Sequence, residues 1–367
     1  MASICRRRSM KRLRARAPIT ARSSRSRCRS RAWARRWGRA VPSRPPSAPR
    51  LTRCSNRRPA MAETEPTRAG FAAIIGAPNA GKSTLVNALV GRKVSIVTPK
   101  VQTTRFQVRG VMMRGAAQVV LVDTPGVFSP RRRLDRAMVA AAWDGATEAD
   151  IIVHVVDAAA QLKGTGRTVE DVERVIEGLK THGLTAILVL NKIDLIKRED
   201  LLAIAQSLNE TGVYGEVFMI SAANGDRIED LADALVKAVP ESPFLYPEDQ
   251  IADLPERMLA AEVTREKLYL RVHDELPYAL TVETESWKPL KDGSVRIEQT
   301  IYVERDGHKP IILGKNGQTV KWVGKAAREE LEAELGCKVH LFLFVKVRPN
   351  WGEDRARFSA LGLDFDA

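Results

Sequence analysis

From Gly70 to Val239, short apolar runs alternate with stretches whose apolar residues recur every three to four positions. "FAAIIG" leads into "GKSTLVNALVG", and "QVVLVD" into "RRLDRAMVAAAWDGA". The series continues through "DIIVHVVD", "VEDVERVIEGLKTHG", "TAILVLN", "EDLLAIAQSLNE", "EVFMIS" and "RIEDLADALVKAV". The apolar runs suit strands covered on both faces, and the longer period suits helices packed by one face. Their alternation predicts an α/β fold with a mainly parallel sheet and helices on both faces.

The rhythm then changes. "PESPFLYPEDQIADLPE" holds four prolines and reads as a linker. Beyond it, "ERMLAAEVTREKLYLRVHDEL" reads as a helix, and "YALTVETESW" and "SVRIEQTIYVE" as strands joined through "KDG". "HKPIIL" and "TVKWVGKAAREELEAELG" read as helices, and "KVHLFLFVKV" as a closing strand. That order predicts a small α+β domain. The expected division is an extension over 1–60, a first domain over 61–240, a linker over 241–256, a second domain over 257–357 and a tail over 358–367.

Charge changes this picture at one end only. The 367-residue chain carries a formal +15, but residues 1–60 hold 20 Lys and Arg and no acid, so the rest is acidic by 5. The extension has almost no large aliphatic residues, too little apolar surface to offset the entropy of ordering, and is expected to be disordered. Three further readings of it stay open. Translation starts at Met61, where "MAETEPTRAGFAAIIG" reads as a complete beginning, and the Arg-over-Lys bias is that of a GC-rich bacterial gene. Alternatively it is a transit peptide, which would place the protein in the mitochondrial matrix, or a basic arm that grips RNA. Cys5, Cys28 and Cys54 lie in this extension and Cys337 stands alone. No disulfide framework or metal-ligand spacing results, which suits a reducing compartment. The longest apolar runs fall well short of a membrane span.

The chemistry sits where predicted strands end. "GAPNAGKS" (76–83) follows a strand and opens a helix, the context a phosphate-binding loop requires. Gly76 and Gly81 let the backbone N–H groups of Asn79, Ala80, Gly81 and Thr84 turn around phosphates at a helix N-terminus. Lys82 would reach the outer phosphates and Ser83 would ligate Mg2+. Asp123 ends a strand, placed to hold Mg2+ through water, and begins "DTPG", where Gly126 is expected to stand beside the third phosphate. "NKID" (191–194) and "SAA" (221–223) end two later strands. Asn191 and Asp194 are expected to read a guanine edge, Lys192 to lie along the base, and the backbone of Ser221, Ala222 and Ala223 to meet the guanine oxygen. Each short motif alone is weak. In this order, each at a strand end, they point to GTP.

Residues 70–239 resemble a translation-factor-type GTPase domain, and "GAPNAGKSTLVNALVG…QTTR…DTPG…NKID…SAA" is similar to the Era family of RNA-binding GTPases. The resemblance implies that "VTPKVQTTR" is the first switch, with Thr104 or the adjoining Thr103 closing over Mg2+. Val127 stands where the best-known GTPases carry a water-positioning Gln. The Era group regularly has an apolar residue there and still hydrolyses GTP, slowly. Asn79 matches the position that contacts K+ in some relatives; capping the turn is its alternative role.

"ILGKNGQT" places Gly314-Lys315-Asn316-Gly317 between two predicted helices. A Gly-x-x-Gly spacing alone is uninformative, and Gly212 and Gly215 repeat it in what reads as a plain loop. In its setting the 314–317 copy resembles the clamp of a type II KH domain, which passes nucleotide backbone over a side-chain-free loop. Lys309, Lys315, Lys321 and Lys325 surround it, either as phosphate contacts or as a solvated helix face. Trp351 in "VRPNW" either stacks on a base or packs. The resemblance covers about 61–357 and implies GTP and GDP, the 3′ end of 16S-type rRNA and the 30S subunit as partners. It also implies a monomer in the cytoplasm, with peripheral contact at the inner membrane. Two other classes fit less well. A membrane-associated regulatory GTPase lacks any lipidation motif or amphipathic anchor, and an ATP-driven RNA remodeller is opposed by "NKID".

Overall fold

The computed structural model describes residues 66–273 and 276–367; the basic extension and every reading of it lie outside the described residues. The first domain runs β1 (Arg68–Ile75), α1 (Lys82–Val90), β2 (Val108–Arg114), β3 (Ala117–Asp123), α2 (Arg133–Glu148), β4 (Ile151–Asp157), α3 (Ala158–Leu162) and α4 (Arg167–His182). It continues with β5 (Ala186–Asn191), α5 (Arg198–Asn209), β6 (Tyr214–Met219), α6 (Ile228–Ala238) and the short β7 (Ala252–Asp253). The strands form one sheet in the order β6-β5-β4-β1-β3-β2-β7. Pairing is parallel from β6 through β3, and antiparallel between β3 and β2 and between β2 and β7.

The pleat of β1 explains the two-sided cover. Ala72 and Ile74 face α1 and α6 in one apolar cluster, while Ala73 and Ile75 join a second with α2, α4 and α5. The sequence pattern did not reveal β2. Its arginines and Gly110 interrupt the apolar run, and the strand exists because β3 offers a free edge. The proline-rich stretch is also less open than a linker suggests. Gln118 accepts from the backbone of Leu245 and Tyr246, and β7 pairs with β2.

The second domain runs α7 (Glu256–Arg271), β8 (Leu280–Pro289), β9 (Val295–Val303), α8 (His308–Leu313), α9 (Gln318–Leu335) and β10 (Val339–Val347). Its sheet has the order β10-β9-β8, with β8 antiparallel and β10 parallel to β9. Leu268 and Tyr269 of α7 and Val323 of α9 are buried with Leu280, Ile301 and Val303 beneath them. A final α10 (Arg355–Ala360) follows. Residues expected as a tail pack: Phe358 and Leu363 join Trp351 against Leu134, Ala137, Met138 and Ala141 of α2. Among the described residues no helix is long and apolar enough to cross a membrane.

Candidate functional site

The carboxyl ends of β1, β3, β4 and β5 lie side by side, and the chemistry-bearing residues follow from that, as in open α/β sheets generally. A cleft of about 610 Å3 opens there, lined by Asn79, Gly81, Lys82, Ser83, Thr84, Thr103, Thr104, Gly126, Asp157 and Lys192, among others. Its loop requires its glycines. A side chain on Gly76 would place Cβ 2.3 Å from the Val155 carbonyl, and one on Gly81 2.2 Å from the Asn191 amide, both at positive φ. Lys82 is buried, and its ammonium donates to the carbonyls of Gly76 (3.1 Å) and Ala77 (3.0 Å). Burial lowers its pKa to about 8, opposed by the charge of Asp123.

Three oxygen-bearing side chains converge beside it. The Ser83 hydroxyl lies 2.7 Å from Asp123 Oδ2 and 2.9 Å from the Thr104 hydroxyl, which itself donates to Oδ2 at 3.2 Å. Thr103 turns the other way, its hydroxyl meeting Thr98 and the Lys100 carbonyl. Of the two threonines, Thr104 is the one whose hydroxyl meets Ser83 and Asp123. Asp123 is fully buried, its carboxyl pKa raised by that burial, and its Oδ1 has no partner among the described residues. An unsatisfied buried carboxylate oxygen beside two hydroxyls is a hard, all-oxygen donor set, and it fits Mg2+.

The "DTPG" segment is stitched back onto this loop. Thr124 donates to the Ile74 carbonyl at 2.8 Å, Val127 N to the Gly76 carbonyl at 3.1 Å, and a Cβ on Gly126 would fall 3.0 Å from Pro78. The Val127 side chain is 1% exposed and belongs to the apolar cluster under α2 and α4. It is a core residue and is not among the residues lining the cleft.

At the other end of the cleft stands Asn191. It is 2% exposed, donates to the Ala80 carbonyl at 2.8 Å and accepts from Ala222 N at 3.0 Å. Its carboxamide ties the phosphate loop to "SAA" and does not line the cleft. Lys192 donates to the Asn79 carbonyl (2.8 Å) and Asp157 (2.6 Å). Asp194 is exposed and oriented by the Ser221 hydroxyl at 2.6 Å, with Ala223 exposed beyond it. The Asn79 amide reaches over to the Pro99 carbonyl of the switch segment at 3.1 Å. The sequence reading missed Asp157; the signal available was an acidic residue closing "DIIVHVVD", as Asp123 closes "QVVLVD".

In the second domain, Gly314 to Gly317 form a tight turn between α8 and α9. Gly314, Asn316 and Gly317 all have positive φ, and a Cβ on Gly317 would meet nothing nearer than Lys321 Cε at 3.9 Å. Lys309, Lys315, Lys321 and Lys325 are exposed around the turn, Lys325 with Glu329 at 3.8 Å. Ile312 is core, Val320 packs against it, and Ile311 is 56% exposed. Trp322, also missed, is 42% exposed on the basic helix beneath the Arg271 guanidinium. Trp351 packs: it is buried and its indole donates to the Ala279 carbonyl at 3.1 Å.

Comparison with known proteins bears on both domains. A family model described as a 50S ribosome-binding GTPase matches residues 71–192, and one described as a KH domain matches 275–352. The chain is 64% identical to GTPase Era of Caulobacter vibrioides over 83% of this chain and 98% of that protein. To GTPase Era of Maricaulis maris it is 62% identical over 83% of this chain and the whole of that protein. Among solved structures, an Aquifex aeolicus Era variant bound to GDP and AlF4− superposes with a TM-score of 0.75 at 38% identity, covering 81% of this chain and 99% of that one. Era in complex with MgGDPNP and nucleotides 1506–1542 of 16S ribosomal RNA matches with the same figures. A P-loop nucleotide domain followed by a KH module, shared along essentially the whole length of these relatives, makes the chain a member of the GTPase Era family.

Proposed function

We propose that this GTPase holds GTP through the 76–84 loop with Lys82 on the outer phosphates, hydrolyses it slowly, and uses the nucleotide state to govern RNA binding by the KH domain. The convergence of Ser83, Thr104 and Asp123, with one Asp123 oxygen left unpaired, carries this reading. Those three residues would hold Mg2+, which when bound neutralises phosphate charge developing in the transition state. Gly126 lets the switch backbone approach the third phosphate, and Val127 anchors that backbone in the core. Asp194, set by Ser221, selects guanine, with Lys192 along the base and the Ala222 and Ala223 backbone closing the pocket. Asn191 supports the reading indirectly, by fixing the loop to that pocket. K+ beside Asn79 would supply the charge that an arginine supplies elsewhere.

The RNA is the 3′ region of small-subunit rRNA, and the outcome is maturation of the 30S particle in the cytoplasm. The rRNA bound in the solved Era complex supports this, as does the open, lysine-framed turn at 314–317. The test combines two measurements on the full chain. GTP turnover is followed under a large excess of ATP, which should leave it unchanged. RNA crosslinked to the protein in cells is then sequenced, and reads should concentrate at the 3′ end of 16S-type rRNA. Turnover lost to ATP competition, or reads spread without regard to that end, would reject the corresponding half.

A further inference from the structure

Thr104 is approached by the two domains from opposite sides. Its hydroxyl faces Ser83 and Asp123, while the peptide carbonyls of Gln102 and Thr103 accept from Arg265 of α7. Arg265 is 1% exposed and is held from below by Glu262, with Nε to Oε1 at 2.8 Å. On the far side of Thr104, Arg105 is 3% exposed and points into the second domain. It donates to the Tyr269 hydroxyl at 2.8 Å and the Leu280 carbonyl at 2.9 Å, and lies over the Trp351 ring. Farther back along the switch, Glu266 accepts from Val97 N at 2.9 Å and from Lys93 at 2.7 Å.

Glu262, Arg265, Glu266 and Tyr269 fall at helical spacings of three and four, one stripe of α7. A guanidinium taken out of water is tolerated only where acceptors meet it, so two buried arginines reaching across a domain boundary fix its register far more narrowly than apolar contact would. The same helix carries Arg271, stacked on Trp322 of α9, the helix that follows the 314–317 turn. One element thus touches both the nucleotide centre and the surroundings of the basic turn.

We propose that α7 supplies positioning residues for the nucleotide centre. Arg265, through the Gln102 and Thr103 carbonyls, and Tyr269, through Arg105, set the Thr104 hydroxyl against Ser83 and Asp123. The triphosphate-and-Mg2+ state is therefore complete only while the KH domain is docked as seen here, and anything that shifts α7 changes it. This rests on the GTP reading above and deepens it.

The test measures the affinity of the full chain for a fluorescent non-hydrolysable GTP analogue with and without Mg2+. Partners that orient a metal ligand typically contribute about 10–100-fold to metal affinity or activity. Arg265→Ala should accordingly cut the Mg2+-dependent gain in analogue affinity about tenfold, at metal-free affinity within about twofold of wild type. Arg265→Lys should restore part of the gain. Glu262→Gln, which keeps the arginine but loosens it, should give an intermediate loss and serves if Arg265→Ala does not fold. Arg133→Ala removes a different domain contact, to Glu353 at 2.9 Å, and should keep the wild-type gain. An unchanged gain in Arg265→Ala and Glu262→Gln overturns the proposal, as does an equal loss in Arg133→Ala, which would mean general undocking. Failure of the wild-type protein to bind the analogue at all would reject the GTP reading itself.

Discussion

Two glycine-framed turns, 76–81 and 314–317, are both proposed to meet phosphate and differ in how far they are enclosed. The first is enclosed. Asn191 and Lys192 both donate to its carbonyls, Lys82 is buried inside it, and its glycines are demanded by backbone and side chains almost touching them. The second is open only in part: Lys315 and Asn316 are exposed and a Cβ on Gly317 would meet only Lys321 Cε at 3.9 Å, but one on Gly314 would fall 2.3 Å from the Thr319 hydroxyl. Enclosure suits a small ligand bound the same way each time, because preorganised dipoles act strongly where water is excluded. Exposure suits a polymer that must thread past, held by charge that salt screens. Glycine is common to both and serves close packing at Gly76, Gly81 and Gly314, whereas at Gly317 it leaves the backbone open to approach.

That contrast can be broken most decisively at Lys82. Lys82→Ala should reduce GTP turnover by roughly 10²–10³-fold, the range for removing a preorganised charge-stabilising group, while RNA binding by the apo chain stays intact. A single-turnover assay with filter binding on the same samples checks both halves. Replacing Lys315 and Asn316 by Asp should do the reverse. RNA affinity should fall by about tenfold or more, and the log–log salt slope should become shallower by about 0.7 for each phosphate no longer neutralised. GTP affinity should not move. Equal RNA affinity and slope would remove this turn from the interface.

A smaller effect is expected at Val127, where the enclosed region meets its core. Val127→Ala should lower unfolding stability by roughly 1–3 kcal/mol through reduced burial and a cavity, with most turnover retained. Val127→Gln should destabilise further, because it buries an amide among apolar side chains, and should not accelerate hydrolysis. Denaturant unfolding and turnover on the same variants separate stability from chemistry. A rate increase in Val127→Gln would mean that the side chain reaches the water site after all.

The least effect concerns pH. His154 on β4 pairs with β1 under the enclosed loop; it is fully buried, with Nδ1 2.8 Å from the Tyr214 hydroxyl. Burial, and secondarily the charge of Lys82, lowers its pKa to about 3 from 6.5. The folded chain keeps it neutral, so below pH 6.5 the unfolded chain takes up a proton that the folded chain refuses. Stability should then fall with decreasing pH, by up to about 1.4 kcal/mol per pH unit from this residue. His154→Gln should show a shallower fall between about pH 7 and 5 in chemical denaturation, whatever its absolute stability. An identical slope would place the acid sensitivity elsewhere.

Local chemistry was legible in the chain itself. A positive-φ glycine, a lysine and a hydroxyl at fixed spacing after an apolar run specify a phosphate loop through bonds between near neighbours, so Gly76, Gly81, Lys82 and Ser83 could be named without coordinates. The strand-ending Asp123 and Asn191, and Ser221 just past β6, follow from the same regular alternation. What a side chain does after it leaves the backbone was not legible. Thr103 and Thr104 have identical side chains, and only the tertiary structure turns the second toward Asp123 and the first toward Thr98. Asn191 spends its amide on partners 111 and 31 residues away, and Val127 turns inward because α2 and α4 close over it. Nothing in the sequence singled out Arg105 or Arg265; contacts spanning 164 and 162 residues bury them on either side of Thr104. Such pairings depend on how two domains dock, and the free energy that decides docking is summed over many distant contacts that no short stretch of sequence contains.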